Sequence, residues 1–288
     1  MAYRRASSTR RGKRASTKRR PRYSARKRTY RKRSSAKMTT RRILNITTKK
    51  KQDNMLPYTF TTTGIPGSAG PANIQAQGPG VTTGFIYCPT ARTRTSVLGA
   101  DNASSVRETD TCFMRGLKER ITFYTDSGMA WRWRRICFTR KGNLGLTVST
   151  ARELSNGFVR ALQPLSAADG NTLQTQLFKG EYLSDWWNPF SAKTDNSRLT
   201  IVSDTSRTIS SGNTVGKFVN YKHWYPMNKN LVFSNDEAGE TETSDAFSTV
   251  GKAGMGDFYI YDIFQSIGTD AAQHLAFEPQ ATLYWHEK

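Results

Sequence analysis

Acidic residues are absent from the first 51 positions of this chain, and the first to appear is Asp53. The same stretch holds 22 Lys or Arg, so nothing within it neutralises its charge. It has almost no aliphatic residues before Ile43, Leu44 and Ile46, which excludes a packed core of its own. Cysteine is scarce. Cys88, Cys112 and Cys137 make an odd set with no CxxC pair, which argues against a disulfide framework and suits a reducing assembly compartment. Histidine is limited to His223, His274 and His286, with no HExxH and no Cys/His zinc spacing. GxSxG, the P-loop and a GxGxxG after a strand are missing as well. No catalytic residue, metal ligand or cofactor is therefore expected, and the chain does not read as an enzyme. There is no apolar h-region of a secretory signal and no 18-residue apolar run, so no membrane partner is expected. A mitochondrial transit peptide is also Arg- and Ser-rich and poor in acids, so it remains a minor alternative for the arm, with the high charge density counting against it.

The rest of the chain is electrically balanced. Residues 52–288 carry 22 basic and 22 acidic side chains, so +22 − 22 = 0, and the formal +22 of the whole belongs to residues 1–51. Two parts follow. Residues 1–51 are a basic nucleic-acid-binding arm, disordered until a polyanion supplies counter-charge. Residues 52–288 are a body of 288 − 51 = 237 residues, long enough to bury a full core.

The body alternates as strands do. Residues 55–63 read as a strand and the Gly- and Pro-rich 64–84 as a long loop. Ile121 and Phe123 alternate with Thr122 and Tyr124, and a turn signal at Asp126-Ser127-Gly128 precedes a second strand over 131–139. Residues 112–139 are thus expected to form a β-hairpin. In its second strand Trp131 and Trp133 share one face, and Arg132 and Arg134 the other. Arg135 then falls beside the tryptophans, which calls for a bulge near 134–135 or full burial of the strand's end. Leu173, Leu177, Tyr182 and Leu183 have roughly helical spacing within 169–187. Phe258, Ile260 and Asp262 alternate with Tyr259, Tyr261 and Ile263, and 280–286 closes the chain as a strand. No βαβ alternation or fixed repeat appears. The expected fold class is all-β: a single eight-stranded jelly roll, that is, an antiparallel β-sandwich with long loops and one or two short helices, preceded by the disordered basic arm.

The arm's cations come in clusters: Arg4 and Arg5; Arg10, Arg11, Lys13 and Arg14; Lys18, Arg19, Arg20 and Arg22; Arg26, Lys27 and Arg28; Arg31, Lys32 and Arg33. Arg41, Arg42, Lys49, Lys50 and Lys51 extend the run. Each cation that neutralises a phosphate releases condensed counterions, which gives tight, sequence-independent, salt-sensitive binding. Tyr23 and Tyr30 stand among the arginines, where a ring can stack on an unpaired base and favour single strands. Lys18, Arg19, Arg20, Arg26, Lys27, Arg28, Arg31, Lys32 and Arg33 also have the pattern of an address read by a nuclear import receptor. Twenty-two charges exceed what an address needs. Arg132, Arg134 and Arg135, interleaved with Trp131 and Trp133, are a second candidate DNA-binding cluster, set against a plainer reading of core tryptophans and solvated arginines. The acidic run 236–245 lacks EF-hand spacing and reads as a solvated loop.

Four segments carry a resemblance. The basic arm running into TRRILNITTKKKQDNML (40–56), WRWRRICF (131–138), KHWYPMNKNLVF (222–233) and MGDFYIYDIF (255–264) together resemble the capsid proteins of genomoviruses. These are small circular single-stranded DNA viruses of the gemycircularvirus kind, related to geminiviruses. The resemblance implies a jelly-roll subunit, about 60 copies of which close an icosahedral shell around one circular single-stranded DNA genome. It implies that the arm lies on DNA inside the virion, and that assembly takes place in the host nucleus. The alternative is a cellular nucleic-acid-binding protein, ribosomal or chromatin-associated, with a basic extension. That reading expects basic residues on the folded body as well.

Overall fold

The computed structural model describes residues 38–94, 104–155 and 157–288, apart from the side chain of Arg41. The chain divides into two compact units between Ile43 and Leu44. In chain order the elements are α1 (Thr40–Thr47), β1 (Lys49–Met55), β2 (Pro57–Phe60), β3 (Pro66–Ala69), β4 (Ala72–Gln75) and β5 (Thr83–Tyr87). Then come β6 (Thr111–Thr125), β7 (Trp131–Arg140), β8 (Arg152–Leu154), β9 (Gly157–Leu162) and α2 (Ala167–Leu177). The chain closes with β10 (Thr200–Ile209), β11 (Lys217–Val232), β12 (Glu237–Ala238), β13 (Thr241–Glu242), β14 (Asp257–Ser266) and β15 (His274–Glu287).

Eight of these strands make the sandwich, and their pairing is nested. The first pairs with the last (β1 with β15), the second with the seventh (β5 with β14), the third with the sixth (β6 with β11) and the fourth with the fifth (β7 with β10), all antiparallel. Pairing of β15 with β6 and of β14 with β7 joins them into two sheets, ordered β1-β15-β6-β11 and β10-β7-β14-β5. That nesting is the winding of an eight-stranded jelly roll, so the expected fold class holds. Strand β4 adds to the first sheet beside β15, and β3-β2-β9-β8 form a small separate sheet.

The expected hairpin over 112–139 does not form. β6 lies in the first sheet and β7 in the second. Both strands have an apolar face, and they bury those faces against each other across the sandwich instead of pairing edge to edge. The Phe123 and Trp133 rings meet at 4.8 Å between centroids. A turn signal marks a reversal of the chain but not the sheet to which the chain returns.

The misfit at Arg135 resolves as burial. β7 has no register shift against β14 and is buried almost end to end. Its Trp131, Trp133 and Arg135 face the first sheet, while Ile136 and Phe138 face α2, packing with Leu173, Leu177 and Phe178. The helix is shorter than the 169–187 expected. Ser166 caps it by accepting from the Asp169 amide at 3.1 Å, and it ends at Leu177. Tyr182 and Leu183 follow in an exposed loop, with Leu183 at φ +70°. Residues 64–84 also differ from the loop expected, since β3 and β4 lie within them.

One glycine governs the first sheet locally. Gly116, at φ +154°, lies in β6 opposite Pro226, beside a register shift in β11. A Cβ there would stand 2.5 Å from the Tyr225 carbonyl oxygen and 2.7 Å from Cζ2 of Trp224. Gly116→Ala is expected to destabilise the body by about 1–3 kcal/mol, read as a lower urea midpoint at unchanged m value.

Candidate nucleic-acid interface

The arm cations Arg4 to Arg33, with Tyr23 and Tyr30, lie outside the described residues. Arg42 is exposed on α1. The arm's boundary at residue 51 needs correction, because Lys49, Lys50 and Lys51 belong to β1 and pair with Glu287, His286 and Trp285. Lys51 points inward with its side chain 6% exposed, and its Nζ donates to Glu108 Oε1 at 2.6 Å and to the Val106 carbonyl at 2.6 Å. Lys49 takes the other Glu108 oxygen at 2.6 Å. These two hydrogen bonds hold the Glu108 carboxyl down at about 2. Lys49 and Lys51 are therefore engaged with a carboxylate, and of the three only Lys50 is exposed without such a partner among the described residues. Charge alone could not place this boundary, since acids from distant positions supply the counter-charge.

The Arg132/Arg134/Arg135 cluster separates into three environments. Arg134 is buried: its Nε and Nη2 reach Asp204 at 2.9 and 2.6 Å, and its Nη2 also donates to the Ala192 carbonyl at 2.9 Å. Arg135 is fully enclosed. Its Nε and Nη2 clasp Asp262 at 2.7 and 2.8 Å, and its Nη1 meets Glu119. Arg160 from β9 completes a quartet, reaching Glu119 at 2.9 Å and Asp262 at 3.0 Å. Trp133 Nε1 donates to Asp262 at 2.8 Å. All four charged side chains are 0% exposed and sum to +2 − 2 = 0. Burial opposes charge on Arg135, but Asp262 and Glu119 outweigh it and hold the guanidinium firmly protonated. Burial likewise raises Asp262, and its arginine partners bring it below the usual carboxylate range. Arg134 and Arg135 are thus unavailable to phosphates, a correction to the reading of all three as DNA-binding. The tryptophans beside them are core residues, as the plainer reading had it.

Arg132 alone faces solvent. It lines an open cleft of about 340 Å³ with Arg207, Ser206, Thr208, Asn188 and Phe190. Thr208 is its cross-strand partner, Arg207 lies over the Tyr221 ring at 4.9 Å, and no described carboxylate is within ion-pair distance of either arginine. Two guanidiniums with hydroxyl and amide donors suit a phosphate. Arg207 carries no sequence signal of its own, because β10 is a largely exposed edge strand with few apolar residues.

The three cysteines are buried and unpaired, and burial pushes the Cys112 and Cys137 thiols up to about 12. Among the described residues, no group of three or more His, Cys, Asp or Glu is placed to hold a metal. The acidic run 236–245 forms the exposed β12–β13 ribbon, where Glu242 pairs with Arg94. Trp187 and Trp224 are exposed, whereas Trp186 packs on Phe178 at 5.0 Å.

No protein-family model matches the chain, and no curated protein matches it. Among solved structures it is similar to VP1 of Trichodysplasia spinulosa-associated polyomavirus. The form in complex with GM1 oligosaccharide is 9% identical, with 79% of this chain and 80% of that chain covered at a TM-score of 0.11. Another VP1 structure is 9% identical over 84% of this chain and 94% of that chain at 0.12. At these values no residue of one chain can be equated with a residue of the other.

Proposed function

We propose that this chain is the capsid protein of a small single-stranded DNA virus of the genomovirus kind. The observation that carries the reading is charge segregation: residues 1–48 hold 19 cations and no acid, whereas the jelly roll they join holds 25 cations against 22 acids. The body supplies the shell, with about 60 copies closing an icosahedron. The arm supplies counter-charge to the packaged circular genome, and its clusters from Lys18 to Arg33 bring the subunit to the host nucleus through an import receptor.

The charge balance is coherent. Setting aside Lys49, Lys50 and Lys51, which belong to β1, each arm offers 22 − 3 = 19 cations. About 60 arms then match roughly 1,100 phosphates, the scale of a genome of one to a few thousand nucleotides. Purified full chain mixed with a circular single strand of about 2,000 nucleotides is expected to protect it from nuclease in particles of uniform sedimentation. Complete digestion, with the protein still sedimenting as monomer, would refute the proposal.

A further inference from the structure

The exposed face of the β1-β15-β6-β11 sheet differs from an ordinary solvated sheet surface. Inward positions of β6, including Leu117, Glu119, Ile121 and Phe123, are buried, so Lys118, Arg120, Thr122 and Tyr124 point outward. Arg120 stands directly opposite Lys222 of β11, and Lys118 directly opposite Trp224. A like-charge pair placed directly across two strands is destabilising, and none of these three cations meets a described carboxylate within ion-pair distance. With Lys50 and Arg115, which lies over the outward Phe113 ring, the face carries five cations against one acid, Glu278, so +5 − 1 = +4. Most of the body's neutralising acids lie elsewhere: Glu119, Asp262 and Glu287 are buried, and five more sit on the 236–245 ribbon.

Aromatic rings lie on the same face. Trp224 is 49% exposed, and its ring centroid is 5.9 Å from that of Tyr284. Its six-membered ring lies against Gly116, where any side chain would displace it. Further along, Phe218 is 73% exposed and 5.5 Å from Tyr124. Tyr124 lies six positions along the strand from Lys118, roughly 20 Å at strand rise, with Arg120 and Lys222 between the two ring pairs. Cations alternating with flat exposed rings are what a single-stranded nucleic acid recognises, since phosphates take the charges and unpaired bases take the rings.

We propose that this face is a stacking platform for single-stranded nucleic acid, with phosphates on Lys118, Arg120 and Lys222 and bases on Trp224 and Tyr284. It rests on the reading of the chain as a packaging protein and adds a contact on the body to those of the arm. The test is photocrosslinking of the full chain to a 4-thiothymidine oligonucleotide, with peptides mapped by mass spectrometry. Crosslinks in β11 and at the end of β15 are expected. In full-length Trp224→Ala, affinity for oligothymidine at about 0.5 M salt, where exposed charges are strongly screened, should fall roughly 5- to 100-fold. Full-length K118S/R120S/K222S should lower the salt slope by about 2. Crosslinks confined to residues 1–37, with the slope unchanged, would overturn the platform and leave the packaging reading standing. No retention of the oligonucleotide by the full chain would overturn both. A triple variant that binds normally but no longer assembles would assign the face to a second copy of the chain instead.

Discussion

Replacing Glu119 with alanine is expected to bring the body close to unfolding. Glu119 is the carboxylate that Arg135 and Arg160 share inside the sandwich, and its removal leaves a buried quartet of +2 − 1 = +1. Breaking a buried pair from one side costs about 3–5 kcal/mol, because a desolvated charge is left uncompensated. Whole domains are stable by only about 5–15 kcal/mol. The urea midpoint should fall by about 1–2 M at an m value of about 3 kcal/mol/M. Glu242→Ala makes the control. Its partner Arg94 is partly exposed, so that loss should stay under about 1 kcal/mol. Equal midpoints for the two variants would contradict the role given to the quartet. Its members come from β6, β7, β14 and β9, which belong to three different sheets, so the network fixes how those sheets meet.

Deleting residues 1–40 is expected to leave a folded body and remove most nucleic-acid binding. A protein using six or more phosphate contacts loses about a thousandfold or more in affinity between 50 and 200 mM salt. The full chain should show at least that dependence, and the deletion a slope smaller by many units. The deletion should keep its far-ultraviolet circular dichroism and a cooperative thermal transition, since β1 to β15 all lie beyond residue 40. A steep salt slope retained by the deletion would move the principal contact onto the body. Loss of the thermal transition would refute the division into arm and body.

Strands with one buried face were legible in the sequence. Alternation at Ile121 and Phe123 marked β6, and alternation of Phe258, Ile260 and Asp262 with Tyr259, Tyr261 and Ile263 marked β14, although that strand is buried on both faces. β11 was not legible as one strand, because Lys222 to Asn230 is rich in polar residues and contains Pro226. It is one long strand at a sheet edge, where outward positions tolerate polar residues and proline. What sequence could not show was pairing at long range. Arg135 stood out as misplaced on an apolar face, but its partners Asp262 and Glu119 are 127 and 16 positions away. Lys51 likewise looked like part of the arm until Glu108 and Glu287 were brought beside it. The outer face carrying Lys118, Arg120 and Lys222 was hidden by the neutral total of the body. Net charge sums buried and exposed groups alike, so a basic face backed by buried acids leaves no trace in it.

Electron microscopy of the purified full chain tests the central claim most directly. Closed shells of uniform diameter holding nuclease-resistant nucleic acid are the predicted result. Soluble monomers that bind nucleic acid without assembling would contradict it.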